Sequence, residues 1–290
     1  CGLRKGDKWR LLALWSEGSR LNSKIALDMA EQLGMKNTVQ GTWVDLYCNG
    51  EYAGIYLLTE SVTVGEGRVD IYNLEKENKQ YNPNIEQAAH FEEEDRKGYL
   101  LDHVHTTEGG YLIEKDTGEY YGGELNGFET SAGFLFSIKE PAHAAKEQVD
   151  YIAGYVDMID QMVQNGDPAV WEYLDLDSLV SAFLVDEISL DTDVAVTSMY
   201  FYKDVGDDKL YTGPVWDYEH TFGERNVEAM EGRFVNYTYS VVEHTKLFAS
   251  ILNWYMLLYD TPVFQERMTE KYEALLPFFE KLLDTGIDEY

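Results

Sequence analysis

Asp191-Thr192-Asp193-Val194-Ala195-Val196-Thr197-Ser198 closes an apolar helix, and together with the next 25 residues, to Gly223, it decides the fold. Two short runs, Met199-Tyr200-Phe201-Tyr202 and Lys209-Leu210-Tyr211, flank a polar turn over Asp204 to Asp208 and read as an antiparallel pair. The segment ends in Gly213-Pro214-Val215-Trp216-Asp217-Tyr218-Glu219-His220-Thr221-Phe222-Gly223. One acid, Asp193, thus lies in a loop after a helix, and a second, Asp217, comes after the hairpin. Far apart along the chain, the two carboxylates are expected to converge.

Working outward, Trp9 to Leu14 reads as a strand. Ser19 reads as the cap of a helix over about 21–33, where Leu21, Ile25, Met29 and Leu33 keep a helical period and Gly34 ends it. Trp43 to Cys48 and Tyr52 to Leu58 flank Asn49-Gly50-Glu51, and the Asn-Gly pair suits a tight hairpin turn. Residues 74–98, with Glu92-Glu93-Glu94-Asp95-Arg96-Lys97, read as a solvated loop. Strands are expected at Gly110 to Glu114 and Phe134 to Lys139, the second stopped by Pro141. From about 144 the pattern is helical. One helix ends near Asn165-Gly166, and a second starts at the cap Asp175 and delivers Asp193. After a polar stretch past Gly223, helices are expected over Leu247 to Tyr259 and Phe264 to Leu283.

The composition is that of a globular chain of 290 residues, 44% hydrophobic, long enough for one large domain or two lobes. Its net charge of −30, from 23 basic and 53 acidic residues, argues against a nucleic-acid partner, which requires neutralised phosphates. The same charge favours solubility, or a preference for basic protein substrates or divalent cations. Two cysteines, Cys1 and Cys48, make no disulfide framework. No run of about 18 or more apolar residues is present, so no membrane span is expected. The start at Cys1-Gly2-Leu3-Arg4-Lys5 reads as a piece of a longer protein, with lipidation of Cys1 a weak alternative.

An acid in a loop after a helix, a polar position five residues on, a hairpin and a second acid is the order found in protein kinases. Further blocks fall in sequence: Glu17-Gly18-Ser19; Leu46 to Glu60; Gly110-Tyr111-Leu112-Ile113-Glu114-Lys115-Asp116; Ile138-Lys139-Glu140-Pro141; and Asp186-Glu187-Ile188-Ser189-Leu190-Asp191-Thr192-Asp193. With these, over about residues 9–223, the chain resembles the CotH family, the spore-coat protein kinases and their secreted bacterial and fungal relatives. The resemblance implies an α+β, two-lobed atypical protein-kinase-like fold. Small-lobe elements would occupy about 1–62, with Thr59-Glu60-Ser61-Val62 at the hinge. A strand-rich insertion would occupy 63–143, and a helical lobe with the catalytic loop 144–290. It further implies ATP with Mg2+ or Mn2+ as cofactors, a Ser/Thr protein substrate, basic or Ser-rich, and a location outside the cell or on the cell or spore surface. Asp193 would orient the acceptor hydroxyl, and Asp217 would hold metal, with Ser198, Glu219 and Asp191 as further metal candidates. Lys139, Glu60 and Glu114 would be the nucleotide-binding candidates.

At three positions this chain departs from the family pattern. Asp191 and Ser198 stand where Asn is frequent, and Glu219 replaces the second Asp after the Trp. A Ser hydroxyl is a weaker magnesium ligand than an amide carbonyl or carboxylate. The basic strand usual before Trp9 lies outside the chain.

Plainer roles stand beside these. Asp193 and Asp217 suit turns and caps, Glu219 could pair with Arg225, Lys139 could be a surface lysine, and Trp216 and His220 read as structural. His103-x-His105 has no third metal ligand near it in sequence. Two functions compete with an active kinase: a catalytically weak kinase-like surface binding or adhesin module, and a two-carboxylate glycosidase, which accounts for neither the hairpin nor the block order.

Overall fold

A computed structural model of the chain describes residues 2–6, 8–15, 17, 19–191, 193–194, 196–222 and 252–287. The expectations for Cys1, for the stretch from Gly223 and the start of the helix at Leu247, and for Arg225 fall outside these residues.

Two sheets organise the described residues. The smaller has the order β1-β3-β2, from β1 (Trp9–Leu12), β2 (Gly41–Cys48) and β3 (Glu51–Glu60), all antiparallel. Its hairpin forms at the expected dipeptide: Asn49 (φ 51°) and Gly50 (φ 86°) both adopt the left-handed conformation that such a two-residue turn requires. Helix α1 (Asn22–Gln32) comes after β1, and Gly34 (φ 72°) closes it. Its start is secured differently from the sequence expectation. Glu17, not Ser19, takes the orphan helix amides, accepting from Asn22 N at 3.0 Å and Ser23 N at 3.3 Å. A glutamate two residues before Ser19 has the longer reach, and Ser19 Oγ instead accepts from Leu21 N.

The larger sheet has seven strands in the order β10-β9-β6-β8-β7-β5-β4. These are β4 (His90–Glu92), β5 (Arg96–Tyr99), β6 (Tyr111–Asp116), β7 (Gly127–Glu129), β8 (Leu135–Glu140), β9 (Met199–Lys203) and β10 (Tyr211–Thr212). The β9–β10 hairpin therefore docks on β6, with Ile113 opposite Phe201 and Glu114 opposite Tyr200. Residues 74–98 are not a solvated loop. They form α2 (Leu74–Tyr81), capped by the Asn73 side chain at Lys76 N, and the β4–β5 hairpin, whose turn holds the Glu93-Glu94-Asp95 charges. Sparse but fully buried anchors, Leu74 and Ile85, pin this charged segment to the body.

One face of the large sheet is the core. Tyr111, Ile113, Phe136, Ile138 and Phe201 pack there against Val149, Ile152 and Val156 of α4 (Lys146–Gln164) and Leu179, Phe183 and Leu184 of α5 (Leu176–Ser189). Asp175 caps α5 as expected, accepting from Ser178 N at 2.8 Å. Short α3 (Gly118–Tyr121) precedes β7. Helices α6 (Trp254–Leu258) and α7 (Pro262–Lys281) add Trp254, Tyr255 and Phe264 to the same core.

Candidate active site

The site is built where α5 ends. Leu190 turns the chain by adopting a left-handed conformation (φ 54°), and Asp191 N reaches back to Asp186 O at 2.9 Å. Asp191 then folds the next turn, its Oδ1 accepting from Asp193 N at 3.0 Å. Ser198 enters β9 with φ 58°, and Asp217 leaves the hairpin with φ 73°. Non-glycine residues rarely adopt positive φ, and such strain collects where a backbone must present groups to a ligand. Here the two strained residues meet, Ser198 Oγ donating to Asp217 Oδ2 at 3.3 Å.

Asp191, Asp193, Ser198 and Asp217 line one small pocket of about 30 Å³, with Tyr200, Thr212, Trp216 and Tyr218 among its other walls. The hairpin thus brings together the two acids that the sequence reading sets apart from all others. A second pocket of about 230 Å³ shares Trp216, Asp217 and Tyr218 with the first. It runs to Glu219 and is closed by Leu11 to Trp15 and by Ser23 and Leu27 of α1. An apolar cleft therefore continues from the acidic one, between the end of β1 and the loop after β10.

The carboxylates around the pocket raise one another. Burial first, then Glu219 and Asp193, push the Asp217 carboxyl above its ordinary range, while Ser198 and His220 work the other way. Asp191 is raised further, by burial and by the charges of Asp186, Asp193 and Asp217. Asp186, buried on α5, is raised to about 7 by burial although both Tyr218 and Tyr255 donate to it. Glu219 stands beside His220, with Oε1 3.5 Å from Nε2.

The nucleotide-binding candidates separate into two places. Glu60 is fully buried in the small sheet, accepts from Arg4 and Gln40 N, and lies 3.4 Å from Arg68. Like Lys139 and Glu114, it lines neither pocket. Lys139 and Glu114 instead pair with each other, Nζ to Oε2 at 3.1 Å, and Glu124 takes a second Lys139 contact at 2.8 Å. Lys139 is the extra residue of a bulge between β6 and β8, since Leu112 faces Glu140 while Ile113 faces Ile138. A bulge re-aims a side chain, and here it sends the ammonium to Glu114. Tyr200, a wall of the acidic pocket, lies beside Glu114, so the Lys139–Glu114 pair stands one residue behind the acids. Burial raises the Glu114 carboxyl and Lys139 lowers it, with a net upward shift.

Several residues at the site carry no individual signal, although Asp186 and Tyr218 fall inside the quoted blocks. Asp186 is the most legible in retrospect, a charge directly after the apolar run Ala182-Phe183-Leu184-Val185. Tyr200 and Tyr218 are aromatic residues among 22 tyrosines, and nothing local marks them.

The mixed α/β scaffold thus presents one acid after a helix and a second after a hairpin. The CotH kinase protein family model matches residues 2–290, so the chain belongs to that family. No curated protein matches it.

Proposed function

We propose that the protein is an ATP- and divalent-metal-dependent protein kinase that transfers the γ-phosphoryl group of ATP to serine or threonine hydroxyls of a secreted or surface protein. The observation that carries this reading is the meeting of Asp193, Ser198 and Asp217 in one pocket from opposite ends of the β9–β10 hairpin. Family membership supports the reaction class.

Asp193 orients the acceptor hydroxyl and receives its proton as the hydroxyl oxygen attacks. Asp217 and Ser198 would hold Mg2+ or Mn2+, and the charges of Glu219 and Asp191 would add to the field there. Their donors are all oxygen, which suits a hard cation. Among the described residues no three His, Cys, Asp or Glu side chains group tightly enough to hold a metal by themselves. Such a set fits a cation that arrives on phosphates and takes one or two carboxylates from the protein. When bound, the cation neutralises charge on the phosphates. Asp217 and Asp191, raised by burial and by their charged neighbours, would be eased by positive charge there. Lys139, held by Glu114 and Glu124 and lining neither pocket, would have to turn from Glu124 to bring its charge toward the phosphates, and the apolar cleft beside Trp216 takes the nucleoside.

Incubation with labelled ATP and Mn2+ or Mg2+, using a basic Ser-rich acceptor, tests the reading. Incorporation should fall by about three orders of magnitude in Asp193→Ala and Asp217→Ala, the scale of a removed acid–base or charge-stabilising group. Nucleotide binding without any transfer would mark the binding-module function instead. Absence of both would end the kinase reading.

A further inference from the structure

The loop that carries Asp217 and Glu219 is held at its far end by a helix from the other end of the chain. Asn22, the first residue of α1 and only 4% exposed, donates from its side-chain Nδ2 to Thr221 O at 3.0 Å, across 199 residues of sequence. We propose that Asn22 is a positioning residue for the metal-holding acid, acting through Thr221. The proposal rests on the reading of Asp217 as that acid.

Three observations carry it. First, the loop needs external ties. It has positive φ at both Asp217 (73°) and Phe222 (52°), and no described strand or helix runs between them. Among the described contacts, Tyr218, whose hydroxyl binds Asp186, and Phe222, whose amide donates to Ser189 O, both lead to α5. Asn22 is a tie from a second direction. Second, the Asn22 amide is fixed in orientation. Ser19 Oγ donates to its Oδ1 at 3.1 Å, which leaves Nδ2 facing the Thr221 carbonyl. Its backbone is fixed too, because the buried Glu17 carboxylate accepts from Asn22 N, Ser23 N and Ser23 Oγ. Third, Thr221 is completely buried and its Oγ1 donates to Tyr218 O at 2.7 Å, so a displacement at Thr221 passes directly to the residue after Asp217. α1 itself is immobilised in the core through Ala26, Leu27, Met29 and Ala30, which makes it a fixed post.

Asn22→Asp keeps the shape but turns a donor into an acceptor facing a carbonyl, and Asn22→Ala removes the group. Lys24→Ala, on the same helix, is the control. Two readouts are needed: Mn2+ half-saturation for binding a non-hydrolysable ATP analogue, measured by calorimetry, and hydrogen exchange of the amides in 217–222. Both Asn22 variants should weaken Mn2+ roughly five-fold or more, the effect of one lost hydrogen bond, and speed exchange in 217–222, while Lys24→Ala does neither. A lower melting temperature with unchanged Mn2+ affinity and unchanged loop exchange would make Asn22 merely structural and overturn the proposal. Should wild-type protein bind no Mn2+–nucleotide at all, the metal reading fails, and the exchange measurement still decides whether Asn22 holds the loop.

Discussion

At the scale of single residues, the site stores like charge in a small volume, and the consequence is a dependence on pH. Asp186 has its pKa raised from 3.8 to about 7 by burial. A raised carboxyl is neutral at no cost in the fold at low pH and must be charged against its surroundings at high pH. Its contribution to stability is therefore complete below the ordinary value and is lost as pH rises through about 7. The metal-free protein is expected to lose stability between about pH 4 and pH 8 in urea titrations, by an amount on the order of a few kcal/mol. Asp186→Asn should make that slope shallower, because the amide can still accept from one tyrosine and donate to the other. A slope as steep as wild type would show that Asp186 is charged throughout. That Asp193 and Asp217 line one pocket is legible from type and order alone, since a loop acid after a helix and an acid after a hairpin form a pattern in one dimension. Asp186 is not, because its importance comes from Tyr218 and Tyr255, which lie 32 and 69 residues away.

Among the elements, the β9–β10 hairpin matters most, because it sets the separation between the two acids. Its turn is packed against the chain just before β6: a Cβ on Gly109 would lie 2.3 Å from Asp204 C and O and Val205 N. Those are backbone atoms and cannot yield cheaply. Gly109→Ala should destabilise the protein by about 1–3 kcal/mol. It should also reduce phosphoryl transfer at temperatures where the protein stays folded, as the hairpin shifts on β6. Transfer at the wild-type rate in folded G109A protein would uncouple the turn from the site. Element by element, strong periodicity reads true: α4, α5, the Asn49-Gly50 hairpin and the strands β6 and β8 fall where the sequence puts them. Residues 74–98 read as loop because their apolar anchors are too few to give a period, and only the tertiary burial of Leu74 and Ile85 organises them. Likewise, the bulge at Lys139 is invisible in sequence, since strand register is decided by the partner strand.

Over the whole molecule the dominant quantity is the charge of −30. A field of that sign draws a basic acceptor toward an acidic pocket and repels an acidic one. Salt screens it over about 10 Å at 0.1 M. Raising ionic strength from about 0.05 to 0.5 M should therefore raise KM for a basic Ser-containing peptide several-fold and leave an uncharged Ser peptide nearly unaffected. Equal salt effects on the two peptides would remove substrate steering as a role for the acidic surface. The same field also bears on the metal, whose binding is the step on which the functional reading stands. The most direct measurement is an anomalous difference map from a crystal grown with Mn2+ and a non-hydrolysable ATP analogue. The account predicts a manganese peak within bonding distance of Asp217, near Ser198, with the terminal phosphate facing Asp193. A peak elsewhere, with Asp193 and Asp217 both turned from the nucleotide, would contradict it.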